Sequence, residues 1–112
     1  MKSSLNCNQH QSILVPMVID GADGSPEILE GSSFATVADS GTGIYTVTFN
    51  DAFGRAPVIV GACVTATGDV LVPTFRSVTA AGFVVELSTD GGTLTDGIVM
   101  LQIWGSYSAD EA

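Results

Sequence analysis

GTGIYTVTFNDAFGRAPVIVGACV, residues 41–64, is the stretch that decides the fold. It reads as two β-strands joined by a short, turn-rich loop. In the first, Tyr45, Val47 and Phe49 alternate with Thr46 and Thr48. That period of two puts the larger apolar groups on one face. Thr, Val, Tyr and Phe also suit a pleated, half-buried surface. Asn50, Asp51 and Gly54 supply turn chemistry. Pro57 then opens Val58-Ile59-Val60-Gly61-Ala62-Cys63-Val64, a run that is apolar on both faces. Such a strand is covered on both faces. A small core covers one of them, so the other is expected to meet something else.

The flanking sequence repeats the pattern. Ser12 to Asp20 is a strand candidate whose Pro16 marks it as an edge or bulged strand. Residues 21–33 read as a loop with one helical turn at Pro26 to Glu30, where Ser25 and Pro26 form an N-cap and N1 pair. Phe34 to Asp39 is a short strand, followed by a turn at Ser40 to Gly43. Val70 to Phe75 is a strand marked as an edge by Pro73, and Gly82 to Leu87 is another. Ile98 to Tyr107 is the last and longest. It carries Ile98, Met100 and Trp104 on one side and Val99, Leu101 and Ile103 on the other. About seven short strands with turn signals between them predict an all-β, antiparallel β-sandwich of jelly-roll type. Residues 12–112 are read as that domain and residues 1–11 as a polar arm.

The 112 residues make one domain. Only 13% are charged, against roughly 25% in ordinary globular chains. Hydrophobic residues make up 46%, yet no run approaches the roughly 20 apolar residues of a membrane span. So few charges imply wide neutral or apolar surface and therefore a subunit of an assembly. The net charge is −9, with three basic residues in the chain. Nucleic acid and anionic membranes are excluded as partners, because both need Lys and Arg. The amino terminus lacks the apolar core of a signal peptide. Cys7 and Cys63 are therefore expected as reduced thiols, with Cys63 a small buried hydrophobe.

Catalytic chemistry is sparse. His10 is the single histidine and lies in the arm, which leaves no basis for a zinc site or a Ser-His-Asp triad. Asp20, Asp23, Glu27 and Glu30 form an acidic stretch without EF-hand spacing and read as solvated turns. No metal, cofactor or enzymatic activity is expected. The binding candidates are Arg55, Arg76, Trp104, Tyr107 and His10. Each arginine reads equally as a surface ion pair or as an intersubunit one. Trp104, among apolar neighbours, is expected in the core or at an oligomer axis, and Tyr107 at an exposed contact.

From Tyr45 onward the signals resemble a known family. Tyr45 to Phe49, Ala52-Phe53, Ala56 to Val60, Val78 to Phe83 and Ile103-Trp104 are together similar to the H-type lectin-like β-sandwich. Modules of this kind occur in structural proteins of tailed bacteriophages, as capsid decoration proteins and fibre tips. The resemblance covers roughly the last 65 residues. The first 40 have no counterpart, and no sugar-contacting position can be matched. It implies a homotrimer with strands packed about an axis. The function expected from it is a non-enzymatic virion protein, made in the host cytoplasm, that decorates and cements a capsid by bridging capsomers. The major capsid protein is then a partner, and the arm orders on binding. A chain that starts with Met and has no fibre shaft favours decoration over a fibre tip. The rival expectation is a trimeric receptor- or carbohydrate-binding module with a glycan partner.

Overall fold

The computed structural model describes residues 12–107. His10, Cys7, the arm and the acidic tail after Tyr107 lie outside the described residues. Eight strands form: β1 (Ser12–Asp20), β2 (Glu27–Glu30), β3 (Ala35–Gly41), β4 (Ile44–Phe49), β5 (Val58–Val64), β6 (Val70–Thr79), β7 (Gly82–Ser88) and β8 (Ile98–Ser106). They join in one antiparallel sheet of order β2-β1-β8-β5-β6-β7-β4-β3. The chain is all-β, as its periodicity predicts, with one strand more than expected.

The added strand corrects the reading of residues 26–30. Glu27 to Glu30 pair with β1 through Ile19↔Ile28 and Asp20↔Glu27 and are not helical. A single turn gains one hydrogen bond for three fixed residues, whereas an adjacent strand offers a ready ladder. Two other elements run longer than the sequence implied. β3 continues to Gly41, and β6 continues through the expected connection to Thr79, leaving Ala80-Ala81 as a tight turn. A bulge between Arg76 and Thr79, with Ser77 at φ 51°, accommodates that extension.

The sheet divides at β5 and β6. These strands share only Cys63↔Leu71 and Val64↔Val70. Beyond Leu71, β6 pairs with β7 alone, so Pro73 has no neighbour to which an N–H would donate. Pro16 is placed by the same logic. β1 pairs with β8 along its whole length, but β2 reaches only Val18 to Asp20. At both prolines the strand is locally an edge, which is where proline is tolerated.

The two halves of the sheet enclose one core. Met17 and Ile19 of β1 and Val99, Leu101 and Ile103 of β8 meet Tyr45 and Val47 of β4 and Phe83, Val85 and Leu87 of β7. β4 and β5, read as successive strands around a loop, are not sheet neighbours. Residues 50–57 cross from one half to the other, held by Phe53 N to Ala80 O at 2.9 Å and Gly54 N to Ser106 O at 2.8 Å. Phe53 is buried at the crossing, against Phe49 at 5.1 Å and Phe34 at 5.7 Å between ring centroids. Cys63 is buried and free, and burial pushes its thiol up to about 11.

Candidate functional site

The two halves present different outer faces. On β3, β4, β7 and β6 the outward positions include Thr36, Thr46, Thr48, Thr74, Arg76 and Glu86. Hydroxyls and charges suit this face to water. A shallow hollow of about 250 Å³ lies here over Gly82, where the lattice of side chains is interrupted. Arg76 Nη1 lies 2.5 Å from Glu86 Oε2, with the arginine side chain 60% exposed.

The outer face of β1, β8 and β5 is apolar. Register places its residues in rows across the three strands. Leu14, Trp104 and Val58 form one row. Pro16, Gln102 and Val60 form the next. Val18, Met100 and Ala62 form the third. Val64 beside Ile98, with Val70 across on β6, continues the face. The exposure is high: Trp104 59%, Val58 66%, Val60 55% and Val70 81%. No charged residue stands in the three rows. An open groove of about 390 Å³ runs between β1 and β5 over Met100, where Gly61 and Ala62 carry little bulk. The margin next to β2 is acidic, with Asp20, Glu27 and Glu30.

This face arises because β8 is apolar from Ile98 to Trp104 at every position but Gln102. Both of its faces carry large apolar side chains, and the purely apolar one turns inward. The inward set is Gly97, Val99, Leu101, Ile103 and Gly105, all buried. A Cβ on Gly97 would meet Leu71 Cδ1 at 2.8 Å, and one on Gly105 would meet Phe53 Cε1 at 2.6 Å. The core fills the space at both glycines, which fixes the inward face and leaves Met100, Gln102 and Trp104 outside.

The sequence-derived site residues do not converge. Trp104 is not in the core, which corrects the expectation of burial within one chain. The inward face is taken by Val99, Leu101 and Ile103, and Trp104 stands outside between Leu14 and Val58. Tyr107 is partly exposed at the end of β8. It is half-buried and stacks on Phe53 at 5.0 Å and 28°, and its hydroxyl is raised by burial and by nearby Asp51. Arg55 is exposed in the crossing loop. Arg76 belongs to the opposite, polar face. Val58 to Val64 and the Met100 and Trp104 positions were legible in the sequence as a second apolar face. The share contributed by Leu14, Pro16 and Val18, and the central place of Gln102, were not, because they depend on β1 pairing with β8.

The acidic residues act structurally. Asp20 Oδ1 accepts from Ala22 N at 3.1 Å and Asp23 Oδ1 from Ser25 N at 3.0 Å, both Asx turns. Asp96 Oδ1 accepts from Gly43 N at 2.7 Å. Among the described residues no group of three His, Cys, Asp or Glu is placed to hold a metal ion. Among the described residues no helix is long and apolar enough to cross a membrane. Comparison with protein-family models, with curated proteins and with solved structures gives no match.

Proposed function

We propose that this chain is a non-enzymatic structural subunit, a β-sandwich that works as a homotrimer through the outer face of β1, β8 and β5. The observation that carries the reading is that face: three rows of outward side chains with no charge, in a chain of net charge −9. Three strands about 4.8 Å apart and three rows about 6.8 Å apart cover roughly 290 Å² per chain. Patches of roughly this size are often functional, and this one carries no charge. Association hides it and leaves the threonine-rich face and the acidic margins in water.

The assembly that fits this chemistry is a decoration trimer on a bacteriophage capsid, with the major capsid protein as partner. The resemblance of residues 45–104 to phage lectin-like modules supports that assignment, and the uncharged face supports the trimer. The alternative is glycan binding, which draws on the exposure of Trp104. A sugar site pairs a ring with fixed polar groups, whereas the row of Trp104 is completed by Leu14 and Val58.

Two measurements test the reading. Light scattering at micromolar concentration is expected to give the mass of three chains. Cosedimentation with purified capsids lacking small outer proteins is expected to carry the chain into the pellet at a fixed stoichiometry. A single-chain mass with no capsid binding, together with a positive glycan array, would replace this reading with the alternative.

A further inference from the structure

We infer that Asp90-Gly91 is a site of spontaneous covalent modification, where the aspartyl linkage isomerises through a cyclic imide. The fold shields the other Asp-Gly pairs from the same reaction. The inference is independent of the assembly reading above. The reaction needs an aspartyl side chain followed by a residue whose main-chain nitrogen is accessible, and glycine, without a Cβ, obstructs that nitrogen least. Four such pairs occur: Asp20-Gly21, Asp23-Gly24, Asp90-Gly91 and Asp96-Gly97. Nothing in the sequence around them ranks them, and hydrogen bonding does.

In three pairs both reacting groups are engaged. Gly21 N donates to Gly97 O at 2.9 Å, and Asp20 Oδ1 accepts from Ala22 N. Gly24 N donates to Gly21 O at 2.9 Å, and Asp23 Oδ1 accepts from Ser25 N. Gly97 is buried and its N donates to the Tyr45 hydroxyl at 3.1 Å, while Asp96 Oδ1 accepts from Gly43 N at 2.7 Å. Asp90 and Gly91 differ. They are the exposed central residues of a turn closed by Gly92 N donating to Thr89 O at 2.9 Å. Among the described residues neither the Asp90 carboxyl nor the Gly91 N–H has a hydrogen-bond partner. A Cβ at position 91 would meet nothing nearer than Thr89 Oγ1 at 3.8 Å, so there is room for a ring to close.

In the first step the Gly91 nitrogen bonds to Asp90 Cγ. One carboxyl oxygen leaves as water, carrying the amide proton and a second proton from solvent. Water then reopens the imide. Cleavage between the nitrogen and Cγ restores aspartate. Cleavage between the nitrogen and the main-chain carbonyl carbon leaves the chain running through Cβ and Cγ, with the α-carboxylate free. Water is the only co-reactant, and the product has the composition of the parent. The base of the loop is held separately, by Thr95 N to Leu87 O at 2.9 Å and Leu87 N to Gly43 O at 2.7 Å. The lengthened backbone is therefore confined to the turn between β7 and β8, and the modified chain stays folded.

The test incubates the full chain for weeks at physiological temperature and neutral pH. Peptides are then mapped by electron-based fragmentation, and free α-carboxylates are labelled with an isoaspartate-specific methyltransferase. A bonded amide must open before it attacks, so isoaspartate at position 90 is expected to exceed that at 20, 23 or 96 by about tenfold or more. A peptide lighter by one water marks the imide. The same chain unfolded in urea is expected to react at all four pairs to comparable extents. Asp90→Glu, whose ring would be larger and closes poorly, is expected to abolish the label at this turn. Gly91→Ala, for which the turn has room, is expected to reduce it several-fold with parent-like melting. An Asp90 that stays intact in the folded chain, or isoaspartate at another pair matching it there, would overturn the site. The same ranking in the unfolded chain would overturn the shielding by the fold.

Discussion

The Tyr45 hydroxyl lies 3.2 Å from the carbonyl oxygen of Gly21 and ties the two halves of the sheet together. Tyr45 belongs to β4 and Gly21 follows β1, on opposite sides of the core. The Tyr45 hydroxyl oxygen also accepts from Gly97 N at 3.1 Å and lies 3.2 Å from Asp96 Oδ1. A Cβ at position 21 would overlap the Tyr45 ring. Tyr45→Phe leaves the buried Gly97 N–H without this acceptor and is expected to cost about 1–3 kcal/mol. Gly21→Ala overpacks the same point and is expected to cost a similar amount. Denaturant melts of both variants check this, and a parent-like midpoint for Gly21→Ala would mean that the ring moves aside freely.

Alkali should unfold the protein through two buried groups. Burial first, then the charge of Asp96, pushes the Tyr45 hydroxyl up to about 12, and burial pushes Cys63 up to about 11. Both folded values lie above the unfolded ones, so the unfolded chain loses its protons first. Stability is therefore full below about pH 8 and falls as pH rises from about 9 to 12. Tyr45→Phe should remove the upper part of that fall and Cys63→Ala the lower. Melting curves across the range, with tyrosinate absorbance as a second readout, test the assignment.

Trp104 and Ile103 are adjacent on β8 and should behave oppositely. Ile103 is fully buried, and Ile103→Ala is expected to cost about 2–5 kcal/mol of folding stability through lost transfer energy and a cavity. Trp104→Ala is expected to fold with native circular dichroism but to lose the mass of the assembly. Comparing mass with melting in dilute solution, where association contributes least, separates the two effects. A dilute Trp104→Ala chain that melts as low as Ile103→Ala would contradict the outward placement.

The Arg76–Glu86 pair should matter little. It lies on the solvated face with most of the arginine exposed. Arg76→Ala is expected to change stability by less than about 1 kcal/mol. If capsid binding rather than melting responds to Arg76→Ala, the polar face is the one that meets the capsid.

Alternation made β4 and β7 legible, because inward and outward positions differ by one residue and a strand has no other period. The turn at Ser40 to Gly43 was legible for a related reason: Gly41 and Gly43 adopt positive φ, which glycine tolerates at no steric cost. β2 was not legible. Four residues carry no decisive period, and Pro26 suggested a helix start where the edge of β1 offered a partner.

The sequence by itself determined that this chain is built of antiparallel strands and that β5 and β8 are apolar on both faces. Local side-chain order suffices for that, since each residue's face follows from its parity alone. Only the tertiary structure decided which face of β8 is core. Both faces carry large apolar side chains; the inward one holds the glycines at positions 97 and 105, where Leu71 and Phe53 occupy the space a side chain would need, and the outward one holds Gln102. That choice, with the pairing of β1 to β8, turned Trp104 outward and set Gln102 at the centre of an uncharged face. Strand pairing is a long-range event, and no period along the chain records it.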